Sequence, residues 1–325
     1  MQHFQKKKLL STESYLITGA LGCIGAWVVR NLVREGTPVV VFDLANDPHR
    51  LKLLLTPDEL AQVRFVHGDI TNLIALEQAL DEHGITRVIH FAALLMPQCK
   101  ANPVLGEQVN VGGTLNVFEA VARRNTRIQR IVYASSVAVY DAADAEPGAA
   151  IAHDVIGHPT SLYGVYKQAA EGIARVYWQE RRVVSIGLRP ATVFGVGRDN
   201  GMTAAPTKAM HAAAHGQPYH IPFGGRGEFQ YANDVARSFI ACARAPFAGA
   251  EVFNLHGTVV HMREVIAAIE AAAPQARDTI TFDEPGFPSP EEFDANALMA
   301  VIGPLPYTPF NQAVAETIAM FKSFQ

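Results

Sequence analysis

The side chains best suited to acid–base chemistry are Tyr163 and Lys167, in the block YGVYK. They are four residues apart, about one helical turn, so both project from the same face if the segment is helical. An ammonium group beside a phenol favours the phenolate, and so lowers the tyrosine pKa from its ordinary value near ~10. We therefore expect Tyr163 to exchange a proton with a substrate hydroxyl, an effect typically worth roughly 10²- to 10⁴-fold in rate.

A serine pair could complete this site. Ser135 and Ser136 follow the apolar run at residues 130–134, which we predict to be a strand. A serine hydroxyl at the end of a neighbouring strand would hydrogen-bond the reacting oxygen. The alternative for Tyr-x-x-x-Lys is a chance spacing, with the tyrosine packed and the lysine solvated.

A glycine-rich turn opens the first strand–helix unit, in the stretch YLITGALGCIGAW at residues 15–27. Gly19, Gly22 and Gly25 let the backbone turn sharply and come close to a ligand. The free N–H groups and the dipole of the following helix attract a pyrophosphate. The spacing is one residue longer than the dinucleotide fingerprint, and a purely structural turn is the alternative.

An acid stands at the end of the second predicted strand. Asp43 follows Gly25 by 18 residues, and an acid about this far from the glycines grips the adenosine ribose through its hydroxyls. The same charge repels a 2′-phosphate, so Asp43 favours NAD over NADP. Arg50 nearby keeps NADP as an alternative, and the structural alternative for Asp43 is capping of a helix or turn.

Apolar runs alternate with helix-like segments through the first part of the chain. Near-continuous apolar runs are typical of strands buried on both faces of a parallel sheet, and intervening helices give right-handed crossovers. We predict an α/β fold: a Rossmann-type doubly wound parallel sheet with a smaller C-terminal substrate-binding lobe. The predicted strands are residues 15–17, 38–43, 63–66, 87–91 and 128–134, and the helices are residues 26–32, 73–83 and 104–124.

Further candidate residues lie where these strands end. Asp69 follows the third strand, where it would meet the adenine amino group or cap the next helix. Ala92 and Ala93 end the fourth strand with small side chains that would let the cofactor pass closely. Asn110, inside the long helix, is expected to bond within the scaffold.

Composition argues against several classes of function. The 325 residues carry a formal net charge of −4, which gives no general attraction to nucleic acid. No apolar run is long enough to cross a bilayer, and residues 1–10 lack the apolar core of a secretory signal. We expect a soluble cytoplasmic protein in which the basic residues 6–8 form a solvated tail. The three cysteines form no metal or redox spacing and are expected to be buried, and no metal is predicted.

In their order, these motifs resemble the extended short-chain dehydrogenases/reductases, in particular the NAD-dependent epimerase/dehydratase branch. The resemblance spans residues 14–258 and includes the blocks YASSVAVY at 133–140 and LRPATVFG at 188–195. It implies that Tyr163 donates and accepts the proton, that Lys167 binds the nicotinamide ribose and tunes the tyrosine, and that Ser136 orients the substrate, with Ser135 a second choice. The cofactor-binding set predicted for NAD is Gly19, Gly22, Cys23, Ile24, Gly25, Asp43, Asp69, Ile70, Ala92, Ala93, Tyr163, Lys167 and Pro190.

The residues expected to contact the substrate differ from the family pattern. Members acting on nucleotide sugars often have an asparagine where this chain has Thr192, and an arginine where it has Gly227 beside Arg226. A nucleotide diphosphate needs cationic partners; Arg189 is a candidate or, alternatively, a buried structural arginine. A smaller sugar, sugar acid or hydroxy acid is therefore favoured. The predicted substrate contacts are Ser135, Thr192, Arg198 and Arg226.

We assign residues 14–188 and 231–258 to a dinucleotide-binding domain, and residues 189–230 and 259–325 to a substrate-binding lobe. The C-terminal helices are predicted at residues 203–215, 232–244, 262–273 and 309–324, and a strand at 251–255 returns to the first domain. Residues 283–292 are predicted to be an exposed loop, with a lid as an alternative. Small residues at 168–174 and the family resemblance imply a homodimer built on this helix and the long helix before it; intrachain packing is the alternative.

The sequence thus predicts an NAD-dependent enzyme, an oxidoreductase or isomerase, that moves hydride between nicotinamide and a secondary alcohol carbon of a sugar-like molecule. If NADH stays bound and returns its hydride to the opposite face, the enzyme is an epimerase; if NADH leaves, it is a dehydrogenase. A small hydroxy acid or sugar acid is the alternative substrate. The alternative from another class is an NAD-binding sensor protein, which would need the glycines and Asp43 but no acid–base group.

Overall fold

The computed structural model of the chain describes residues 13–146, 148–286 and 290–324. The predicted solvated tail at residues 6–8 and the segment 1–10 therefore lie outside the described residues, as does the middle of the predicted loop at 283–292. Within the described ranges, no helix combines the length and the apolar character needed to span a membrane.

Strands and helices alternate along most of the chain. The strands are β1 (Tyr15–Thr18), β2 (Val39–Asp43), β3 (Arg64–His67), β4 (Arg87–His90), β5 (Arg130–Ala134), β6 (Ser185–Arg189), β7 (Thr192–Phe194), β8 (Tyr219–Ile221), β9 (Arg226–Tyr231), β10 (Ala250–Asn254), β11 (Thr258–His261) and β12 (Ile280–Phe282). The helices are α1 (Cys23–Arg34), α2 (His49–Leu54), α3 (Pro57–Leu60), α4 (Leu73–Glu82), α5 (Met96–Ala101), α6 (Pro103–Glu107), α7 (Gly113–Ala122), α8 (Leu162–Arg181), α9 (Ala205–Ala214), α10 (Ala232–Arg244), α11 (Met262–Ala272), α12 (Asn296–Ile302) and α13 (Phe310–Lys322).

Seven of these strands form one parallel sheet in the order β10-β6-β5-β4-β1-β2-β3. The direction of winding reverses between β1 and β4, and ligands of such sheets bind outside the carboxyl ends of the strands at this point. The predicted Rossmann-type fold is confirmed. The predicted return of a late strand to this sheet is also confirmed, because β10 pairs with β6.

The sheet is covered on both faces, which explains its apolar strands. Along β1, Leu16 belongs to one buried cluster and Ile17 to the other, because successive side chains of a strand point to opposite faces. Helices α1 and α10 cover the face of Ile17, whereas α4, α7 and α8 cover the face of Leu16. This double burial is what made the strands recognisable in the sequence.

The predicted long helix at residues 104–124 is interrupted. A π-helical turn, Gln108–Gly112, joins α6 to α7. Asn110 in this turn is buried, accepts from the Leu94 amide at 2.7 Å and donates to the Leu94 carbonyl at 3.0 Å. The scaffold role expected for Asn110 is confirmed, and the wider turn is typical of functional regions.

The C-terminal part contains more strands than the sequence indicated. Its predicted helices correspond to α9, α10, α11 and α13, but β7, β9 and β11 form a second sheet and β8 pairs with β12. These strands are short, and β9 (RGEFQY) has no regular alternation of apolar residues. The domain boundaries given above stay a prediction.

The turn between β1 and α1 closely approaches the backbone that follows β4. Gly19 has φ +64°, and a Cβ built on it would lie 2.5 Å from the backbone nitrogen of Ala92. A side chain there must therefore displace the segment after β4.

We expect Gly19→Ala to lower the free energy of unfolding by about 2–5 kcal/mol, from the left-handed backbone and the overpacking together. Gly84→Ala is the matched control, since Gly84 has φ +57° and open space around it; its cost should be about 1 kcal/mol. Urea unfolding measures both. Equal losses would show that the contact with Ala92 is unimportant.

Candidate active site

A cavity of about 1560 Å³ runs along the carboxyl ends of the central strands. It brings together every residue predicted to bind the cofactor, the predicted catalytic residues, and three of the four predicted substrate contacts. Arg226 is the exception: it is exposed, does not line the cavity and lies 3.6 Å from Glu291. The lining residues from the prediction are Gly19, Gly22, Cys23, Ile24, Gly25, Asp43, Asp69, Ile70, Ala92, Ala93, Ser135, Ser136, Tyr163, Lys167, Pro190, Thr192 and Arg198.

The glycine turn offers a cradle for a pyrophosphate. Gly22 caps α1 without a side-chain hydrogen bond, so no side chain occupies this end of the helix. Gly19 and Gly25 allow the backbone to pack closely here, because a Cβ on either residue would come within 2.7 Å of backbone atoms of the same protein. Cys23 lines the cavity, as its place in the cofactor-binding set requires, but it is only partly buried, contrary to the expectation of burial for the cysteines; Cys99 and Cys242 are buried. The amide groups at the start of α1, which no side chain caps, therefore fit the pyrophosphate of a dinucleotide.

Asp43 has the turn-capping role considered for it and also lies in the cavity. Its carboxylate accepts hydrogen bonds from the Leu21 amide at 2.9 Å and the Ala45 amide at 3.0 Å, so it does cap a turn. It also lines the cavity, and its contact with the ribose stays a prediction. Arg50, which kept NADP open, donates to the Leu21 carbonyl at 2.7 Å and pairs with Asp199.

Asp69 is not the cap of the helix that follows it. Asn72 caps α4 by accepting from the Ala75 amide at 3.1 Å, so that alternative is wrong. Asp69 instead accepts from the amide and the hydroxyl of Thr71, at 2.9 and 2.8 Å. It lines the cavity, and its contact with adenine stays a prediction.

Helix α8 carries Tyr163 and Lys167 on the face that points at β5. Ser161 caps the helix by accepting from the Gly164 amide at 3.1 Å, and Gly164 allows close contact, since a Cβ there would meet the Ala138 carbonyl. The Lys167 ammonium lies 5.7 Å from the centre of the Tyr163 ring. The predicted common face is therefore observed.

Three consecutive residues at the end of β5 each contact a different turn of α8. Lys167 donates to the carbonyl of Ala134 at 2.7 Å, and the side chain of Ser136 is close enough to the Tyr163 phenol to lower its pKa. The third contact joins Ser135 to Glu171, one turn beyond Lys167. We call this set the strand–helix ladder; its pairs are Ala134–Lys167, Ser135–Glu171 and Ser136–Tyr163.

Glu171 anchors the far end of the ladder. It accepts from the buried hydroxyl of Ser135 and forms an ion pair with Arg189 at 2.7 Å. Their side chains are only 13% and 7% exposed, and Arg189 also donates to the hydroxyl of Tyr140. Arg189 is thus the buried structural arginine considered as an alternative, and the engagement of Ser135 supports Ser136 as the hydroxyl facing substrate.

Burial, rather than the neighbouring ammonium, dominates the proton affinity of Tyr163. Burial raises its pKa, and the hydrogen bond with Ser136 and the charge of Arg198 only partly oppose this. The lowered pKa expected from Lys167 is therefore not observed. Burial also lowers the pKa of Lys167 to about 8, against the opposing charges of Cys99 and Glu171.

Arg198 and Thr192 lie at the substrate end of the cavity. Arg198 donates to the Thr203 hydroxyl at 2.8 Å, and its buried Nε has no partner among the described residues. Glu171, Asp199 and Thr203 were missed in the sequence. Glu171 had a signal, because it lies eight residues after Tyr163 on the same helix face; the other two had none.

Lys167 should give stability a measurable pH dependence. The folded protein releases the Lys167 proton near pH 8, whereas the ordinary pKa is 10.5. Between these values the unfolded chain binds more protons, so the free energy of unfolding rises with pH through this group. Relative to Lys167→Met, the wild type should gain on the order of 3 kcal/mol over this range.

Urea unfolding at several pH values from 7 to 10.5 measures this gain. Lys208→Met, which removes an exposed ammonium group, is the control and should show no comparable slope. A stability difference between wild type and Lys167→Met that is independent of pH would show that burial does not disfavour the charge.

Comparison with known proteins places this site in a family. The family model described as "NAD dependent epimerase/dehydratase family" matches residues 15–255. The UDP-glucose 4-epimerase of Neisseria gonorrhoeae is 30% identical over 283 residues, which is 79% of this chain and 82% of the relative.

Solved structures share the fold. The UDP-glucose 4-epimerase of Thermus thermophilus in complex with NAD has a TM-score of 0.81 at 24% identity, covering 96% of this chain and 100% of that one. A partial consensus L-threonine 3-dehydrogenase has a TM-score of 0.83 at 23% identity, covering 95% and 99%. The chain therefore belongs to the NAD-dependent epimerase/dehydratase family of extended short-chain dehydrogenases/reductases, and it is an enzyme that uses NAD.

Proposed function

We propose that this enzyme transfers hydride at a secondary alcohol or ketone carbon of a sugar or sugar-derived substrate, with Tyr163 carrying the proton. The observation that supports this most directly is the shared cavity, because Ser136, Tyr163 and Lys167 line the same space as the glycine turn. A sensor protein would have no use for a buried phenol and amine at this place.

Each residue's role in this proposal follows from its position in the cavity. The glycine turn and Asp43 would hold the pyrophosphate and the ribose of NAD, which when bound supplies the hydride acceptor. Ser136 would hydrogen-bond the substrate oxygen, and Tyr163 would take its proton as the carbon is oxidised and return the proton on reduction. Ser136 and the charge of Arg198 favour the phenolate that proton removal requires, against the effect of burial.

A substrate that carries a carboxylate or phosphate group is the second candidate, and Arg198 favours it. None of the described carboxylates pairs with this arginine, although it lines the cavity and its charge reaches Tyr163. The other lining arginine, Arg50, is paired with Asp199. A carboxylate or phosphate near the reacting carbon would complement Arg198. This extends the proposal to sugar acids and small hydroxy acids, as well as to nucleotide sugars such as the substrate named for the Neisseria relative.

We also propose a homodimer through α7 and α8. Ala170 and Ala174 are buried within the chain, so part of the small-residue segment serves intrachain packing. Gly172, however, has open space around it, and Val165 and Val176 are each 42% exposed. An open glycine among exposed apolar residues suits close packing of a second helix.

Replacing the phenol tests the proton carrier. We expect Tyr163→Phe to lower kcat by at least about 100-fold while the affinity for NAD, measured by fluorescence titration, changes less than about threefold. Tyr166→Phe is the matched control, because Tyr166 lies on the same helix but donates to the Pro103 carbonyl outside the cavity. Full activity in Tyr163→Phe would refute the assignment.

The same assay identifies the reaction type. Purified enzyme, NAD and a panel of sugars, sugar acids, hydroxy acids and nucleotide sugars are followed by NADH absorbance and product analysis. Net NADH indicates a dehydrogenase, whereas conversion without net NADH indicates an epimerase. An Arg198→Ala variant with a raised KM for acids alone would support the anionic substrate.

A further inference from the structure

One residue of the glycine turn is held from both sides by opposite charges. The amide of Leu21 donates to the Asp43 carboxylate at 2.9 Å, and its carbonyl accepts from the Arg50 guanidinium at 2.7 Å. Both charged groups line the cavity. Arg50 therefore stands next to the place where Asp43 is predicted to meet the adenosine ribose.

An arginine at such a place has a known chemical consequence. In dinucleotide sites, an arginine near the end of the second strand accommodates the 2′-phosphate of NADP, since a guanidinium binds phosphate with two parallel hydrogen bonds. Arg50, in the helix that follows β2, has the position and the chemistry for this. Taken alone, it would favour NADP.

In this structure Arg50 is fully engaged by a residue far away in the chain. Its Nε and Nη2 donate to the two carboxylate oxygens of Asp199, at 2.9 and 2.5 Å. With Nη1 on Leu21, each nitrogen of the guanidinium has an acceptor. His49 lies 3.4 Å from the same carboxylate. The two guanidinium nitrogens that would bind a phosphate are thus already bound to the Asp199 carboxylate.

The segment that carries Asp199 is fixed in place. Trp27 of α1 donates to the carbonyl of Val196 at 2.9 Å, and Gly197 lies beside the Arg50 side chain, which a Cβ on the glycine would contact at 3.5 Å. Burial raises the pKa of Asp199, but the hydrogen bonds and charges of Arg50 and His49 together outweigh this and lower the pKa overall. Asp199 is therefore ionised at neutral pH and positioned for the ion pair.

We propose that Asp199 is a cofactor-specificity residue, which enforces the use of NAD by withholding Arg50 from the 2′-phosphate of NADP. Asp43 repels the phosphate directly, whereas Asp199 acts by occupying the only cation that the described residues place beside Leu21. Binding of NADP to the wild type requires the pair to break and leaves the phosphate near two carboxylates. The proposal does not depend on which substrate the enzyme oxidises.

The test is binding of NADP and NAD to cofactor-free protein, by calorimetry or fluorescence. We expect Asp199→Asn to bind NADP about tenfold more tightly than the wild type does, which is the gain in affinity that hydrogen bonds to a charged group provide. The affinity for NAD should change less than about threefold. The gain should shrink at high salt, because screening weakens the contact of Arg50 with phosphate. Asp199→Ala should behave alike.

Two further variants separate this mechanism from a general loss of negative charge. Asp47→Asn removes an exposed carboxylate that touches His49 but not Arg50, and NADP affinity should stay at the wild-type value. The double variant Arg50→Gln/Asp199→Asn should lose the gain. Unchanged NADP affinity in an Asp199→Asn protein that binds NAD normally, or a gain that survives in the double variant, would overturn the proposal.

Discussion

The strand–helix ladder is the constraint on which the proposed chemistry depends. Its three contacts join three consecutive residues at the end of β5 to three different turns of α8, so they fix both the position of the helix along the strand and its rotation. The Glu171–Arg189 pair is buried, and a buried ion pair is favourable only where further hydrogen bonds satisfy both partners. Ser135 and Tyr140 supply such bonds here. The pair thus defines where Tyr163 lies more than it adds to stability.

The same burial that positions these groups also sets their charge. Burial favours the neutral phenol of Tyr163 and the neutral amine of Lys167, since a low-dielectric surrounding penalises either ion. The ammonium also gives one hydrogen bond to the carbonyl of Ala134. A mechanism in which Lys167 alone creates the phenolate does not fit this environment. Ser136 and the charge of Arg198 lower the pKa of Tyr163 against the effect of burial, which is the direction that the proposed proton transfer requires.

The sequence predicted what is encoded locally. Strands buried on both faces are apolar throughout, the turn at Gly19 needs glycine, and a spacing of four places Tyr163 and Lys167 on one helix face. Contacts set by tertiary structure had no such signal: Asp199 and Arg50 are 149 residues apart. The strands of the second sheet are too short for an alternation of apolar and polar residues to be recognised in the sequence. Arg226 was assigned by its neighbours in the chain, yet the fold turns it away from the cavity.

Residues 195–203 connect the two halves of the cavity. Val196, Gly197 and Asp199 contact α1 and Arg50 at the cofactor end, whereas Arg198 faces Thr203 and acts on Tyr163 at the substrate end. Neighbouring residues of one segment therefore contact both the proposed cofactor end and the proposed substrate end of the cavity. Trp27 joins this segment to the helix that begins at the glycine turn, so one hydrogen bond relates the position of the segment to that of the pyrophosphate cradle.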